Sequence, residues 1–390
     1  MCPGDDAERT GADMIRLPLV ILSLLTLLVP VASGTGWSVE PVRLYAGALR
    51  AVPVRVVSPS EERREAVLAA EFELIDPERL RVIARAPVDL DDRSIDLAET
   101  FPVLWTARSP RVLYCQLYID NEPTGAPLVI EPLLSRPSPP TNALDDQLRR
   151  AFDASDADEI NRLLALSDRE RSRLRALPAP EDSSVRSLLT GLRVYPLVRV
   201  RFETTHGPID VRLRPDAAPL TVRRFVDFVE DGYYTDVAFH RVVRADDRGR
   251  RVLVQTGDPT GTGAGAPGEH FDYEPSTMRH AYGVLSLARD PERPNTSGGQ
   301  FFICLSDAAG AQFDGRYTAF AEIIEGADAL EAIVRTPLGL SDPNDPSSPR
   351  DRPLEPATIR SARTYPAPAL DPSGTREPRI RPEDQSPVVR

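Results

Sequence analysis

Apolar residues recur at every second position along much of the chain, the period of a half-buried strand. Val52, Val54 and Val56 alternate with small or charged neighbours. Arg111–Ile119 sets Leu113, Cys115, Leu117 and Ile119 on one face and Val112, Tyr114 and Tyr118 on the other. Ala66–Leu74, Leu80–Ala84 and Phe101–Trp105 read as further short strands. Ser58-Pro59-Ser60, Asp76-Pro77 and Asn121–Gly125 separate these runs at the spacing of a small β-sandwich. Residues 37–135 are therefore expected to be a β-rich domain. They hold no histidine and no titratable motif, which points to a structural or docking module.

A stiff Ser135–Pro140 linker follows, and then the period lengthens. Leu144, Leu148 and Phe152, then Ile160, Leu163 and Leu164, then Leu174 and Leu177 form narrow helical stripes within 141–192. Asn142, Ser155 with Asp158, and Ser167 with Glu170 have the look of N-terminal caps. Residues 193–365 return to strands. Leu197–Phe202 and Ile209–Leu213 pair through His206-Gly207-Pro208. Val222, Phe225, Val226 and Val229 mark a helix opened by Thr221 and ended by Gly232, and Leu330, Ile333 and Val334 mark another over Ala327–Val334. From residue 366 to 390, six prolines with mixed charge read as a disordered tail.

Composition narrows the function classes. The chain has 390 residues, a net charge of −12 and no lysine, so every basic side chain is arginine. An acidic balance disfavours nucleic acid and anionic lipid as partners. Leu17–Ala32 is one apolar run containing Pro18 and Pro30, short for a membrane span, and Val31-Ala32-Ser33 at its end supplies the small residues of a signal-peptidase site. Residues 1–33 are thus expected to be a signal peptide, with Met14 a candidate start because Met14-Ile15-Arg16 has the right charge. The mature protein is expected to be periplasmic or extracellular, tethered to a membrane only if the signal stays uncleaved. Beyond it only Cys115 and Cys304 remain, in different domains, and both read as buried thiols.

Chemistry concentrates in Phe239–Phe320. Phe239-His240-Arg241 is followed by Val254-Gln255-Thr256-Gly257-Asp258, and Gly298-Gly299-Gln300-Phe301-Phe302 by Phe313-Asp314-Gly315-Arg316-Tyr317. These are apolar strands carrying one outward cation, two glutamines and a glycine-rich loop. They offer no activated nucleophile. The four histidines (His206, His240, His270 and His280) have no zinc-motif spacing, so neither metal nor cofactor is expected. Gly261-Thr262-Gly263-Ala264-Gly265 lacks the helix and lysine of a phosphate loop and reads as a rim loop. The combination suits a shallow peptide-binding surface.

Over roughly Leu197–Tyr365 the chain resembles the cyclophilins, the peptidyl-prolyl cis/trans isomerases that bind cyclosporin. Thr205–Ile209, Tyr233-Tyr234, Phe239-His240-Arg241, Gln255–Asp258, Leu285-Ser286-Leu287-Ala288 and Gln300–Ile303 carry the resemblance, in the family's order. It implies a mainly β fold, a closed antiparallel β-barrel capped by two helices, here preceded by the β-sandwich and short helices. It implies turnover of X-Pro bonds in unfolded or flexible polypeptide. The residue implied as catalytic is Arg241. Leu253, Phe302 and Phe313 would form the proline slot, with Val252 where the family usually has an aromatic. Gln255 and Gln300 would hold the peptide and orient Arg241, and main-chain groups near Ala288 and Arg289 would pair with the substrate. Tyr317 stands where many members have histidine, and Gln312 where cyclosporin-sensitive members have tryptophan. A binding module without turnover and a structural envelope protein are the rival readings, favoured by Val252 and by the long Arg244–Arg251 connection.

Overall fold

The computed structural model describes residues 36–135, 142–154, 156–177, 188–268, 270–293, 295–370 and 380. The expected signal peptide, residues 136–140 of the linker and most of the tail lie outside them. The Val198–Thr204 and Gly207–Leu213 hairpin forms as its alternation predicts, with Val200 opposite Val211 and Phe202 opposite Ile209. It seeds a nine-stranded antiparallel sheet. In spatial order the strands are 237–238, 358–366, 198–204, 207–213, 319–325, 284–287, 301–304, 253–256 and 241–243. The two edge strands, Val237–Ala238 and Arg241–Val243, are separated in sequence by Phe239 and His240 alone. The sheet must therefore curl until its edges meet, and Ala238 bridges Asp258 across the gap.

Inside the curl, Phe225 lies 4.8 Å from Phe320, 5.4 Å from Tyr234 and 5.6 Å from Phe301, ring centre to ring centre. Phe225 comes from the helix Pro219–Glu230, which starts at a proline tolerated in the first turn, earlier than the Thr221 start expected. The second helix, Ala327–Arg335, adds Leu330, Ile333 and Val334 to the same core.

The N-terminal region is a sandwich of two sheets. Strands 38–41, 53–57 and 95–96 make one; strands 45–47, 189–196, 122–134, 113–119, 70–76 and 81–87 make the other. Val54, Phe72, Leu74, Cys115, Leu117 and Leu128 share their core. Phe101–Trp105 is not a strand. Asp96 accepts from the Ala98 amide and starts the helical turn Leu97–Thr100, and a second turn, Val103–Thr106, follows Pro102. A short apolar run does not by itself distinguish the two. Leu189–Pro196, which the reading of the sequence divides between the helical region and the barrel, is one strand of the N-terminal sheet.

The short helices are Ala143–Asp153, Ala157–Leu164 and Asp168–Arg175. Asn142 and the Ser167–Glu170 capping box behave as expected, and the second helix is capped by Asp156; Ser155, the cap expected there, lies outside the described residues. A single residue of the chain, Leu197, separates the strand Leu189–Pro196 of the N-terminal sheet from the barrel strand Val198–Thr204, and it packs with Val112, Tyr114, Val129 and Ala367. The Leu370 amide donates to Gln116 Oε1 at 2.9 Å, so residues 367–370 of the tail lie along the N-terminal sheet.

Candidate active site

Register builds the site. Arg241 pairs with Gln255 and Gln255 with Phe302; Val243 pairs with Leu253 and Leu253 with Cys304. Directly opposed residues share a face of a sheet. Arg241, Gln255 and Phe302 therefore form one row across three strands, with Val243, Leu253 and Cys304 in the row beside it. The alternate positions, Val242, Val254, Phe301 and Ile303, fill the barrel core. The period of two thus separates stability from chemistry within the same three strands.

The second row opens into an apolar box. Val252, Leu253, Phe302, Cys304 and Ala309 are buried, with Ala288, Phe313 and Tyr317 packed against them. The rings of Phe302, Phe313 and Tyr317 stand 5.0–5.5 Å apart in edge and tilted contacts. Beneath them lies His280, whose role the sequence did not reveal. It is 3% exposed and stacks 6.1 Å from Phe302. Its Nδ1 lies 2.9 Å from Asp314 and its Nε2 2.9 Å from Ser286 Oγ. A carboxylate only accepts, so Nδ1 carries the proton and Nε2 accepts from Ser286. Burial holds His280 below the ordinary imidazole pKa, although Asp314 pulls the other way. The floor of the box is thus a neutral ring.

Arg241 and Gln255, the polar members of the first row, are tied down from both ends. Gln255 donates to Gln300 Oε1 at 2.9 Å, and Gln300 donates to the carbonyls of Gly263 and Gly265 at 3.1 and 2.7 Å. Asp258 organises that rim loop, accepting from the amides of Thr260, Gly263 and Gly265 at 2.6–3.0 Å. Gly257, at φ +90°, lets the loop approach closely, since a Cβ there would lie 2.4 Å from the Gly299 carbonyl. At the other end Arg241 donates through Nε to Asp351 at 2.8 Å, while its Nη1 contact with Gln255 Oε1 is long at 3.5 Å. Asp351 was not legible as a site residue. It lies 110 positions from Arg241, in a stretch that looks like a plain proline- and serine-rich connection.

The family model described as cyclophilin type peptidyl-prolyl cis-trans isomerase/CLD matches residues 199–364. Peptidyl-prolyl cis-trans isomerase-like 1 of Aspergillus fumigatus is 37% identical over 169 residues, covering 42% of this chain and 93% of that protein. Its Emericella nidulans counterpart is 36% identical over 173 residues, covering 43% and 95%. The chain belongs to the cyclophilin family. Larger cyclophilins match only in part: an Arabidopsis thaliana peptidyl-prolyl cis-trans isomerase is 34% identical over 171 residues, which span 43% of this chain and 26% of that protein.

Within this cyclophilin the remaining residues named from the sequence divide. Gln312 is exposed beside the box. Val252 is buried in it. Arg289 lies 4.7 Å over the Tyr317 ring and donates to the carbonyls of Arg316, Asp290 and Pro291. It braces the wall of the box with its own donors. The Ala288 amide donates to the Gln300 carbonyl at 2.9 Å, so its N–H is already engaged.

Asp258 carries a pH signature. Burial would raise its pKa, but the amides of Gly265, Thr260 and Gly263 and the Thr260 hydroxyl outweigh it and hold the carboxyl at about 2. In the unfolded chain it titrates near ~4. Its folded pKa is the lower one, so its stabilisation is complete above roughly pH 4 and is lost as pH falls towards 2. The stability difference between wild type and Asp258→Asn, followed by urea unfolding, should shrink across that window. A gap that stays constant down to pH 2 would refute the assignment.

Proposed function

We propose that this chain is a peptidyl-prolyl isomerase that turns X-Pro bonds in flexible segments of exported proteins. The row Arg241–Gln255–Phe302 beside the Leu253–Phe302–Phe313–Tyr317 box is the observation that carries the reading. Amide resonance sets a barrier of about 18–20 kcal/mol to the rotation. In the twisted state conjugation is lost and the proline nitrogen regains a lone pair, so it can accept a hydrogen bond. The box takes the pyrrolidine ring, Gln255 and Gln300 hold the flanking peptide, and the Arg241 guanidinium donates to that nitrogen. Because this bond gains most when the amide is twisted, it acts on the barrier and not on ground-state affinity. A thousandfold acceleration needs about 4 kcal/mol, within reach of one charge-assisted hydrogen bond in a desolvated setting. No proton moves and no covalent intermediate forms.

Export rests on the apolar run Leu17–Ala32 and the small residues Val31-Ala32-Ser33 at its end. N-terminal sequencing of the protein recovered from its native host should begin just beyond Ala32 or Ser33; an intact Met1 or Met14 start would refute cleavage. For the chemistry, exchange NMR of a short Ala-Pro peptide with the purified chain should show cis/trans exchange accelerated well above the uncatalysed rate. Binding without acceleration would assign the barrel to peptide capture.

A further inference from the structure

We propose that Asp351 is a positioning residue for Arg241, fixing which edge of the guanidinium the substrate meets; this rests on the isomerase reading above. Arg241 projects from an edge strand with its side chain 47% exposed, and an arginine so placed ordinarily samples many rotamers. The Gln255 contact at 3.5 Å is too long to hold it. Asp351 accepts from Nε at 2.8 Å and its own side chain is only 10% exposed. Charge-assisted bonds of this kind are the strong ones.

Asp351 is in turn held from three directions. Its second oxygen accepts from the Ser341 hydroxyl. Its carbonyl accepts from the Val242 amide at 2.7 Å, next to Arg241 itself. Pairing of Leu338–Gly339 with Arg352–Pro353, with the Ser341 amide on the Pro349 carbonyl, closes the loop that carries it. Both partners of the ion pair are thus anchored to one edge strand. With Nε on Asp351 and Nη1 facing Gln255, Nη2 makes no hydrogen bond among the described residues. Nη2 is the donor left for the proline nitrogen. The rotamer freedom of Arg241 is given up on folding and not in the transition state, which is the basis of preorganised stabilisation.

The test is a double-mutant cycle in the full chain, read by exchange NMR on an Ala-Pro peptide, with Asp351→Asn, Arg241→Ala and both together. Asp351→Asn should slow turnover roughly tenfold at unchanged peptide affinity, and should change nothing further when Arg241 is already alanine. The Arg241 Nε–H resonance, protected in the wild type, should shift and exchange faster in Asp351→Asn. A wild-type rate in Asp351→Asn, or an equal loss in both backgrounds, would overturn the proposal, the latter because it marks a general structural effect. Should the wild type itself show no turnover, the isomerase reading fails, and an unshifted Nε–H in Asp351→Asn would then overturn the positioning role separately. Should Asp351→Asn not fold, Ser341→Ala releases the second oxygen instead. A roughly two- to threefold loss of turnover there, smaller than for Asp351→Asn because the carboxylate itself remains, supports the role, and no loss refutes it.

Discussion

Arg241→Ala should lower the catalysed isomerisation rate roughly 10²–10³-fold, the scale seen on deleting one transition-state donor, while peptide affinity stays within about threefold. On the proposed reading Leu253, Phe302 and Phe313 would touch the proline ring whatever the state of the bond, and so would set affinity. The guanidinium contributes chiefly when the nitrogen lone pair is free. Arg241 also contributes little to the fold: its side chain is half exposed and its strand is an edge of the sheet. Thermal stability of Arg241→Ala should therefore stay close to wild type, although the Asp351 carboxylate loses its partner. Exchange NMR reads rate and affinity in one experiment. Equal exchange rates in the two proteins would remove Arg241 from the chemistry and return the barrel to a binding role.

Glu322→Ala should do the reverse, destabilising the protein without touching the site. Glu322 is fully buried in the strand Ala319–Glu325 and accepts from Arg212 at 3.1 Å and Arg214 at 3.3 Å. Arg214 is also paired with Asp216, which accepts from the Tyr114 hydroxyl of the N-terminal sheet at 3.2 Å. Removing Glu322 takes a buried carboxylate away from two largely buried guanidinium groups, of which Arg214 keeps Asp216. Breaking a buried pair from one side costs about 3–5 kcal/mol, so the melting temperature should drop by on the order of 10 °C. Turnover measured well below the transition should match wild type. An unchanged melting temperature would mean that water or Asp216 compensates the arginines fully.

The two substitutions separate the two faces of the barrel. Arg241 and Gln255 mark the outward positions of their strands, but Phe301–Cys304 is apolar throughout, so which of its residues face the core and which the site follows only from the register. Local periodicity was more informative elsewhere. The same local logic located the helices of Val222–Val229 and Leu330–Val334 and the capping box at Ser167. It failed at Phe101–Trp105, where five residues are too few for a period to show and Asp96 and Pro102 start helical turns instead. It also failed at Leu189–Pro196, because which sheet a strand joins depends on a partner, Leu128–Leu134, more than fifty residues away.

At the site the division has the same cause. Arg241, Gln255, Gln300, Phe302 and Phe313 sit in local motifs whose residue types already suggest a peptide-binding surface, and whose resemblance to the cyclophilins implies a proline pocket with one donor. His280 and Asp351 do not. A lone histidine in Arg279-His280-Ala281 is chemically silent until folding seats it against Phe302 between Asp314 and Ser286. Asp351 is one of many acidic residues in an acidic chain until the loop after residue 338 folds back and sets its carboxylate against Arg241 Nε. The Arg289 side chain spends its donors on the carbonyls of Arg316, Asp290 and Pro291, contacts that no local pattern announces. The chain's own alternation determined the strands, the inward and outward faces of those that mix polar with apolar residues, and the residue types of the pocket, since these depend on neighbours two to four positions away. Which distant carboxylate and which buried ring hold those residues in place was decided only by tertiary structure, since charge pairing and stacking act through space and leave no period in the sequence.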